Sequence, residues 1–413
     1  MFLAGAGPLA QQPGLSSHDR DLVLTMLRRA RADVERYYYD PSFHGVDLKA
    51  QLAQSERRLK AAATLADAFA IVSDFLFQFD DSHTVFVPPT AGRRVDYGWQ
   101  MAMVGDRALI TEVEPNSDAA ARGLSPGDRV LLLNADAPSR ANAMRLGYYY
   151  RYLQPQARQR VAVLKPEGSA VTVDVTSRLL GRAVVNDGDV ISELDELLAR
   201  GRDRSASVGD EVMVWKMAVF GQPESVDRMI EKARGYKTLV VDLRGNGGGS
   251  VTTLQELVSR CFDREVVVAV ETRRGGRSTR EIATPSKNPF TGRLAVLVDS
   301  RSASAAEMFA RIVQIERRGM VLGDRTAGAV MRSRLFTHRV ESITSTAFYG
   351  TSVTVADVRM SDGGSLEKAG VEPDEIVLPT QTDLASGRDP LLARAIDLVG
   401  GTITPEEAGR LFK

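Results

Sequence analysis

Residues 238–250 read TLVVDLRGNGGGS. A short apolar, largely β-branched run ends in Asp242 and Arg244, and consecutive glycines then lead into VTTLQELVSRCF, whose spacing predicts a helix. A strand that feeds a glycine loop opening a helix turns bare backbone N–H groups toward something negative. That partner is either a nucleotide phosphate or an oxyanion formed during a reaction. A dinucleotide fingerprint needs G-x-G-x-x-G directly after the strand, whereas counting from Gly245 gives GNGGGS, with Ser250 where the last glycine belongs. A phosphate-binding P-loop needs Gly-Lys-Ser/Thr, and the loop has no lysine. Spacing therefore excludes a phosphate cradle. It leaves a backbone that approaches a reacting carbonyl, where one oxyanion donor is typically worth about 3 kcal/mol.

Such a loop requires a nucleophile nearby. LAVLVDSRSASAAEMFARIVQ, from 294, again predicts strand, turn and helix, with Ser304 just before the helix and Glu307 three residues later. By itself this is a capping box, in which Ser304 bonds the third helical N–H and Glu307 reaches back. A serine at a helix N-terminus is also placed for attack, because unpaired N–H groups there can bind a developing negative oxygen.

The remaining sequence frames these two loops. The chain has 413 residues, 43% of them hydrophobic, which is enough for two or three domains. Its 53 Lys plus Arg balance 53 Asp plus Glu, so charge gives no reason to expect nucleic acid or an acidic membrane as partner. The densest basic stretch, ETRRGGRSTR from 271, reads as a solvated hairpin tip. The single cysteine, Cys261, excludes an internal disulfide and any multi-cysteine metal site, and within its helical pattern it reads as a small buried hydrophobe. Neither a metal nor a cofactor is expected. No run of 18 apolar residues occurs; AAATLADAFAIVSDFLFQF carries Asp67 and Asp74 and predicts an amphipathic core helix.

Four segments follow. Residues 1–15, beginning MFLAGAGPLAQQP, look like the tail of a secretory signal, so a periplasmic or secreted location is expected, with the cytoplasm as the alternative. Residues 16–92 are mainly helical and end in DDSHTVFVPP. Residues 93–178 change to short strands and turns. There ALITEVEPNSDAAARGLSPGDRVLLLN looks like a PDZ domain, with Tyr97, Gly98, Trp99 and Gln100 at the place of its peptide-binding loop and strand; the loop motif is poorly matched, and a β domain that only packs is the alternative. Residues 179–413 alternate strands and helices, which predicts an α/β layer with mostly parallel, buried strands.

Taken in order, DDSHT, DLRGNGGG, VLVDSRSASAAEMFA, VLGDRTAG and SLEKAGVEPD resemble the tail-specific (C-terminal-processing) serine proteases over about residues 20–400. The resemblance implies a ClpP- and crotonase-like α/β core and a peptide or unfolded protein as substrate. It implies Ser304 as nucleophile, and the N–H groups of Gly249 and Ala305, beside Gly248, as the oxyanion hole. Most members activate the serine with a lysine about 25 residues later; here the matching stretch is TAGAV, with Ala329 in that place, and no lysine lies between Lys287 and Lys368. A serine needs a positioned base. Of the four histidines, His18 lies in a disordered-looking start, His44 in a Pro/Gly turn and His338, the reserve candidate, in a strand-like run where it reads as a surface residue. His83 of DSHT matches the branch typified by the tricorn protease core. By the same resemblance Glu367 orients the imidazole, assisted by Ser82, although Asp362, Glu372 and Asp374 lie close by. Asp242 and Arg244 are expected to brace the glycine loop. Two other readings stay open: a peptide- or lipophilic-ligand-binding protein with a decayed site, and an acyl-CoA enzyme of crotonase type.

Overall fold

A computed structural model describes residues 15–89, 94–180, 202–341 and 346–412. The signal-like start, apart from Leu15, lies outside the described residues.

The helical region holds α1 (Ser17–Tyr37), α2 (Leu48–Ala61) and α3 (Leu65–Phe77), followed by β1 (Val85–Val87). Each helix starts at a polar cap whose side chain accepts backbone N–H groups: Ser16, Asp47, and Thr64 in a reciprocal box with Asp67. Their apolar faces meet in one cluster that includes Leu27, Val34, Leu59, Val72, Phe75 and Phe79. His18 is therefore not in a disordered start: it sits exposed in the first turn of α1, because Ser16 caps that helix upstream of it.

The next region is an antiparallel sheet. The ribbon β2 (Arg94–Asp96) precedes β3 (Trp99–Val104), β4 (Arg107–Val113), α4 (Asp118–Ala121), β5 (Arg129–Leu133), α5 (Ala143–Tyr148), β6 (Arg158–Leu164) and β7 (Ala170–Thr176); β8 (Arg178–Leu180) returns to pair with β2. Strand order is β3-β4-β5-β6-β7, which leaves β3 on an edge.

The last region contains β9 (Arg204–Val208), β10 (Val212–Lys216), α6 (Pro223–Ala233), β11 (Thr238–Asp242), α7 (Val251–Cys261), β12 (Val266–Arg273), β13 (Ser278–Ala283), β14 (Arg293–Val298), α8 (Ala305–Ile315), β15 (Met320–Gly323), β16 (Arg332–Glu341), β17 (Thr346–Arg359), β18 (Glu375–Ile376), α9 (Gln381–Ala385), α10 (Pro390–Leu398) and α11 (Pro405–Ala408). Its main sheet runs β18-β15-β14-β11-β10-β9, parallel throughout except for β9. Both faces are covered, one by α6, α7 and α8 and the other by α10 and α11, so β11 is buried at every residue. This explains why TLVVD reads as a continuous apolar run rather than an alternating one. A second sheet joins β1 to β17, β12 and β13, with β16 on β17. It ties the helical region to the α/β layer. Cys261 is buried in α7, and burial pushes its thiol up to about 12.

The basic stretch at 271–280 forms a hairpin with an exposed tip, as expected, and one residue of that tip is tied down. The Arg274 guanidinium donates to the Glu35 carbonyl at 2.8 Å and lies over the Phe43 ring, latching the tip to the end of α1.

Candidate active site

Strands β11, β14 and β15 are parallel neighbours, so the loops leaving their carboxyl ends emerge side by side. Those loops are the glycine run 245–249, the turn 299–304 that starts α8, and 324–331. Backbone N–H groups stitch them together: Gly245 N donates to the Asp299 carboxylate Oδ1 (2.8 Å), and Ala303 N to Asn246 O (2.9 Å), Ala327 N to Ser302 O (3.0 Å) and Ser304 N to Ala329 O (3.0 Å) join backbone to backbone.

Ser304 has φ 54°, in the left-handed region that a residue with a Cβ rarely occupies. Two acceptors hold its N–H there, Ala329 O and the Glu307 carboxylate at 3.0 Å. Gly248 shows why this position must be glycine. A Cβ on it would come within 2.6 Å of the Ser304 Cβ and 2.9 Å of the Ala303 carbonyl. The Gly248 N–H, however, already donates to Asn246 Oδ1 at 2.9 Å, so Gly248 contributes clearance and not a free donor. A Cβ on Gly249 would meet the Phe220 carbonyl at 2.4 Å. Among the described residues the N–H groups of Gly249 and Ala305 donate to no protein acceptor.

Glu307 is more than a cap. It is fully buried, and its two oxygens accept from Thr326 Oγ1 (2.5 Å) and from the N–H groups of Gly328 (2.7 Å), Ala329 (2.8 Å) and Ser304. Burial pushes its carboxyl up to about 7, against the pull of these four donors. Only the capping half of this role is readable from sequence, because the partners from 326–329 arrive through tertiary structure.

The DSHT segment meets Glu367 from the other side. Ser82 N and Ser82 Oγ each donate to the Glu367 carboxylate at 2.8 Å, and Val330 N donates to Glu367 Oε2 at 2.9 Å. Ser82 Oγ is 2.7 Å from His83 Nδ1. Since the Ser82 proton points to Glu367, the Ser82 oxygen accepts from Nδ1–H, and His83 Nε2 keeps its lone pair. Burial holds the imidazole below its ordinary pKa; Asp81 opposes that and Arg332 adds to it. Burial raises the Glu367 carboxyl, opposed by the donors from Ser82 and Val330.

The structure thus joins Ser82, His83 and Glu367 in one chain of bonds, and the Ala329–Val330 backbone links that chain to Ser304. Among the described residues no hydrogen bond connects the Ser304 hydroxyl to the His83 ring. Of the other carboxylates near Glu367, Asp362 pairs with Arg311, and Asp374 accepts from Val321 N at 2.8 Å. Ala329 is buried with its backbone in the network, so nothing ionisable takes the lysine's place. His44 is 2.8 Å from Tyr39 Oη and 2.7 Å from the Phe79 carbonyl. His338 is not a surface strand residue: its Nε2 lies 2.6 Å from Asp33 Oδ2 on α1, because α1 packs across β16.

Asp242 and Arg244 brace the loop from beneath. The Arg244 guanidinium bridges Asp242 (2.8 and 2.9 Å) and Asp389 (2.8 and 2.9 Å), and Lys216 Nζ reaches Asp242 Oδ2 at 3.2 Å. Burial works against the Asp242 charge, but Arg244 and Lys216 outweigh it and hold its carboxyl well below the usual range. Arg244→Ala, which leaves Asp389 without its guanidinium and Asp242 with Lys216 alone, is expected to cost about 3 kcal/mol in denaturant unfolding.

In the antiparallel domain, Tyr97 and Trp99 are buried in its core, and Tyr97 Oη donates to the Gln156 carbonyl at 3.1 Å. Gly98 N already donates to Asp96 Oδ1 at 2.9 Å, while Gln100 pairs in register with Glu112. The side chains of Tyr97 and Trp99, expected at a peptide-binding surface, point inward because the sheet needs them to fill its core.

Residues 212–377 match the family model described as Peptidase family S41. The chain is 28% identical over 359 residues to carboxyl-terminal-processing peptidase 2, chloroplastic, of Arabidopsis thaliana, covering 83% of this chain and 66% of that protein. It is 24% identical to the carboxyl-terminal-processing protease of Picosynechococcus sp., covering 87% and 83%. It is also 24% identical to a putative tricorn protease homolog of Streptomyces coelicolor, covering 88% of this chain but 31% of that one. Among solved structures, mature CPAF complexed with lactacystin superposes with a TM-score of 0.65 at 15% identity, covering 89% of this chain and 96% of that one. The tricorn protease does so at 0.50 and 15%, covering 92% and 37%.

Proposed function

We propose that the chain, whose residues 212–377 match Peptidase family S41, is a serine endopeptidase working through an acyl-enzyme on Ser304. In this reading the Ser304 oxygen attacks a peptide carbonyl carbon while His83 Nε2 takes its proton. The N–H groups of Gly249 and Ala305 bind the resulting oxyanion. Collapse breaks the C–N bond as His83 returns the proton to the leaving amine, and water, deprotonated by the same ring, then hydrolyses the ester. Ser82 and Glu367 hold the ring with its proton on Nδ1. The observation that carries this reading is the Glu367–Ser82–His83 chain, which leaves Nε2 as a base where the sequence offers no lysine. The glycine clearance over a strained Ser304 supports the oxyanion assignment. The parallel sheet with helices on both faces fits a ClpP- and crotonase-like core.

A fluorophosphonate probe followed by mass spectrometry tests the reading. The expected result is one adduct on Ser304, lost in His83→Ala. Absence of any adduct, together with no cleavage of unfolded protein, would favour a binding protein instead.

We further propose that the antiparallel domain is PDZ-like and takes an extended peptide on β3. The edge position of β3 supports this, and so does its end, where Met103 O accepts from Ser300 Oγ at 2.7 Å, four residues before Ser304. A peptide with a free C-terminal carboxylate, added in trans, is expected to change the cleavage rate of a short reporter severalfold, and its amidated form is not. Equal effects of the two peptides would remove carboxylate recognition from the account.

A further inference from the structure

Asp81 has no part in the chemistry described above, yet its carboxylate is the most heavily bonded group in the DSHT segment. Its Oδ1 accepts from His83 N (2.9 Å), Thr84 N (2.7 Å) and Thr354 Oγ1 (2.7 Å). Its Oδ2 accepts from Tyr38 Oη (2.8 Å) and Thr84 Oγ1 (2.9 Å). These donors come from three elements: the end of α1, the strand that His83 leads into, and β17. Tyr38, Thr84 and Thr354 are fully buried. Five donors around one carboxylate define a fixed negative charge, and one of the five is the backbone of His83 itself.

We propose that Asp81 is a positioning residue that sets both the orientation and the proton affinity of the His83 ring. The inference rests on the reading of His83 as the base. Three charged neighbourhoods face the ring. Asp81 lies on its own segment, Arg332 stands at the start of β16 and is paired with Glu271 and Glu281, and Glu367 reaches it through Ser82. Arg332 and the desolvated surroundings favour the neutral ring, and Asp81 is the negative charge that opposes them. Without it the imidazole is a weaker base, and the imidazolium formed on attack loses a compensating charge.

Asp81→Asn separates charge from scaffold. The amide oxygen still accepts from His83 N, Thr84 N and Thr354, and the amide nitrogen donates to the Tyr38 and Thr84 hydroxyls, which reverse their roles. Tyr38→Phe is the converse change: it removes one donor and leaves the charge. The four histidines allow the His83 ring to be titrated directly by NMR, with its signal assigned by its loss in His83→Ala. In Asp81→Asn the His83 midpoint is expected to fall by about one pH unit, the acid limb of kcat/KM to move down with it, and kcat to drop about tenfold. Tyr38→Phe is expected to move neither the midpoint nor the limb. An unmoved or raised midpoint in Asp81→Asn, or an equal shift in Tyr38→Phe, overturns the inference. A midpoint that falls while the rate profile stays fixed supports the role of Asp81 and sinks His83 as the base, so the two failures are distinguishable.

Discussion

Ser304→Ala and His83→Ala are each expected to lower kcat by roughly 10⁴- to 10⁶-fold, and the double variant to be no worse than either single one. The reason is that a hydroxyl and its base act as one unit: once either is gone, the other has nothing to do. Binding of peptide is expected to survive, because neither change touches the edge strand or the glycine loop. Losses that add in the double variant would show two groups working independently, and the proton-transfer step proposed for His83 would have to be withdrawn. Stopped assays on an unfolded protein, with burst amplitude measured on a chromogenic ester, separate acylation from turnover.

Glu307→Ala is the second large effect. The substitution leaves three donors without an acceptor in a fully buried pocket, two of them backbone N–H groups, and Ser304 N with only the Ala329 carbonyl. An unpartnered buried group costs about 1–3 kcal/mol, so a loss of at least about 3 kcal/mol is expected even if water enters the space. Activity is expected to fall further than stability explains. Ser304 loses one of the two acceptors that keep it at φ 54°, and the Gly328–Val330 backbone, which carries a donor to Glu367, is released. A kcat lower by about 10²- to 10³-fold under conditions where the variant is fully folded is the expected result. Folded Glu307→Ala protein with unchanged kcat would mean that the loop is held by other bonds. Urea unfolding on the same samples fixes the folded fraction.

Much of this was legible in the sequence because the features concerned are local. TLVVDLRGNGGGS announces a buried strand and a loop without Cβ atoms, and the strand–serine–helix pattern at 294–314 follows from capping chemistry and apolar spacing. The two loops become neighbours because β11 and β14 pair in parallel, which alternating strands and helices already suggest. What sequence could not supply are partners that meet only through tertiary folding. Glu307 reads as a cap until 326–329 folds over it, and Asp81 reads as one acid among several until Tyr38 and Thr354 close on it. Tyr97 and Trp99 show what a motif leaves open, namely where the side chains point. A motif-like placement assigned them to a peptide-binding loop and strand, but their side chains fill the core of the antiparallel domain. His338 looked like a surface strand residue for the same reason, since a strand pattern does not reveal which helix will lie across it.

The central claim is that His83 and the Ser304 hydroxyl act together beside the Gly249 and Ala305 N–H groups. A crystal structure of the phosphonylated enzyme tests it most directly. The expected structure has phosphorus on Ser304 Oγ, His83 Nε2 within about 3.2 Å of an oxygen of the adduct, and the phosphonyl oxygen about 2.7–3.1 Å from both N–H groups. An adduct whose oxygen turns to solvent, with the His83 ring out of reach, would contradict it.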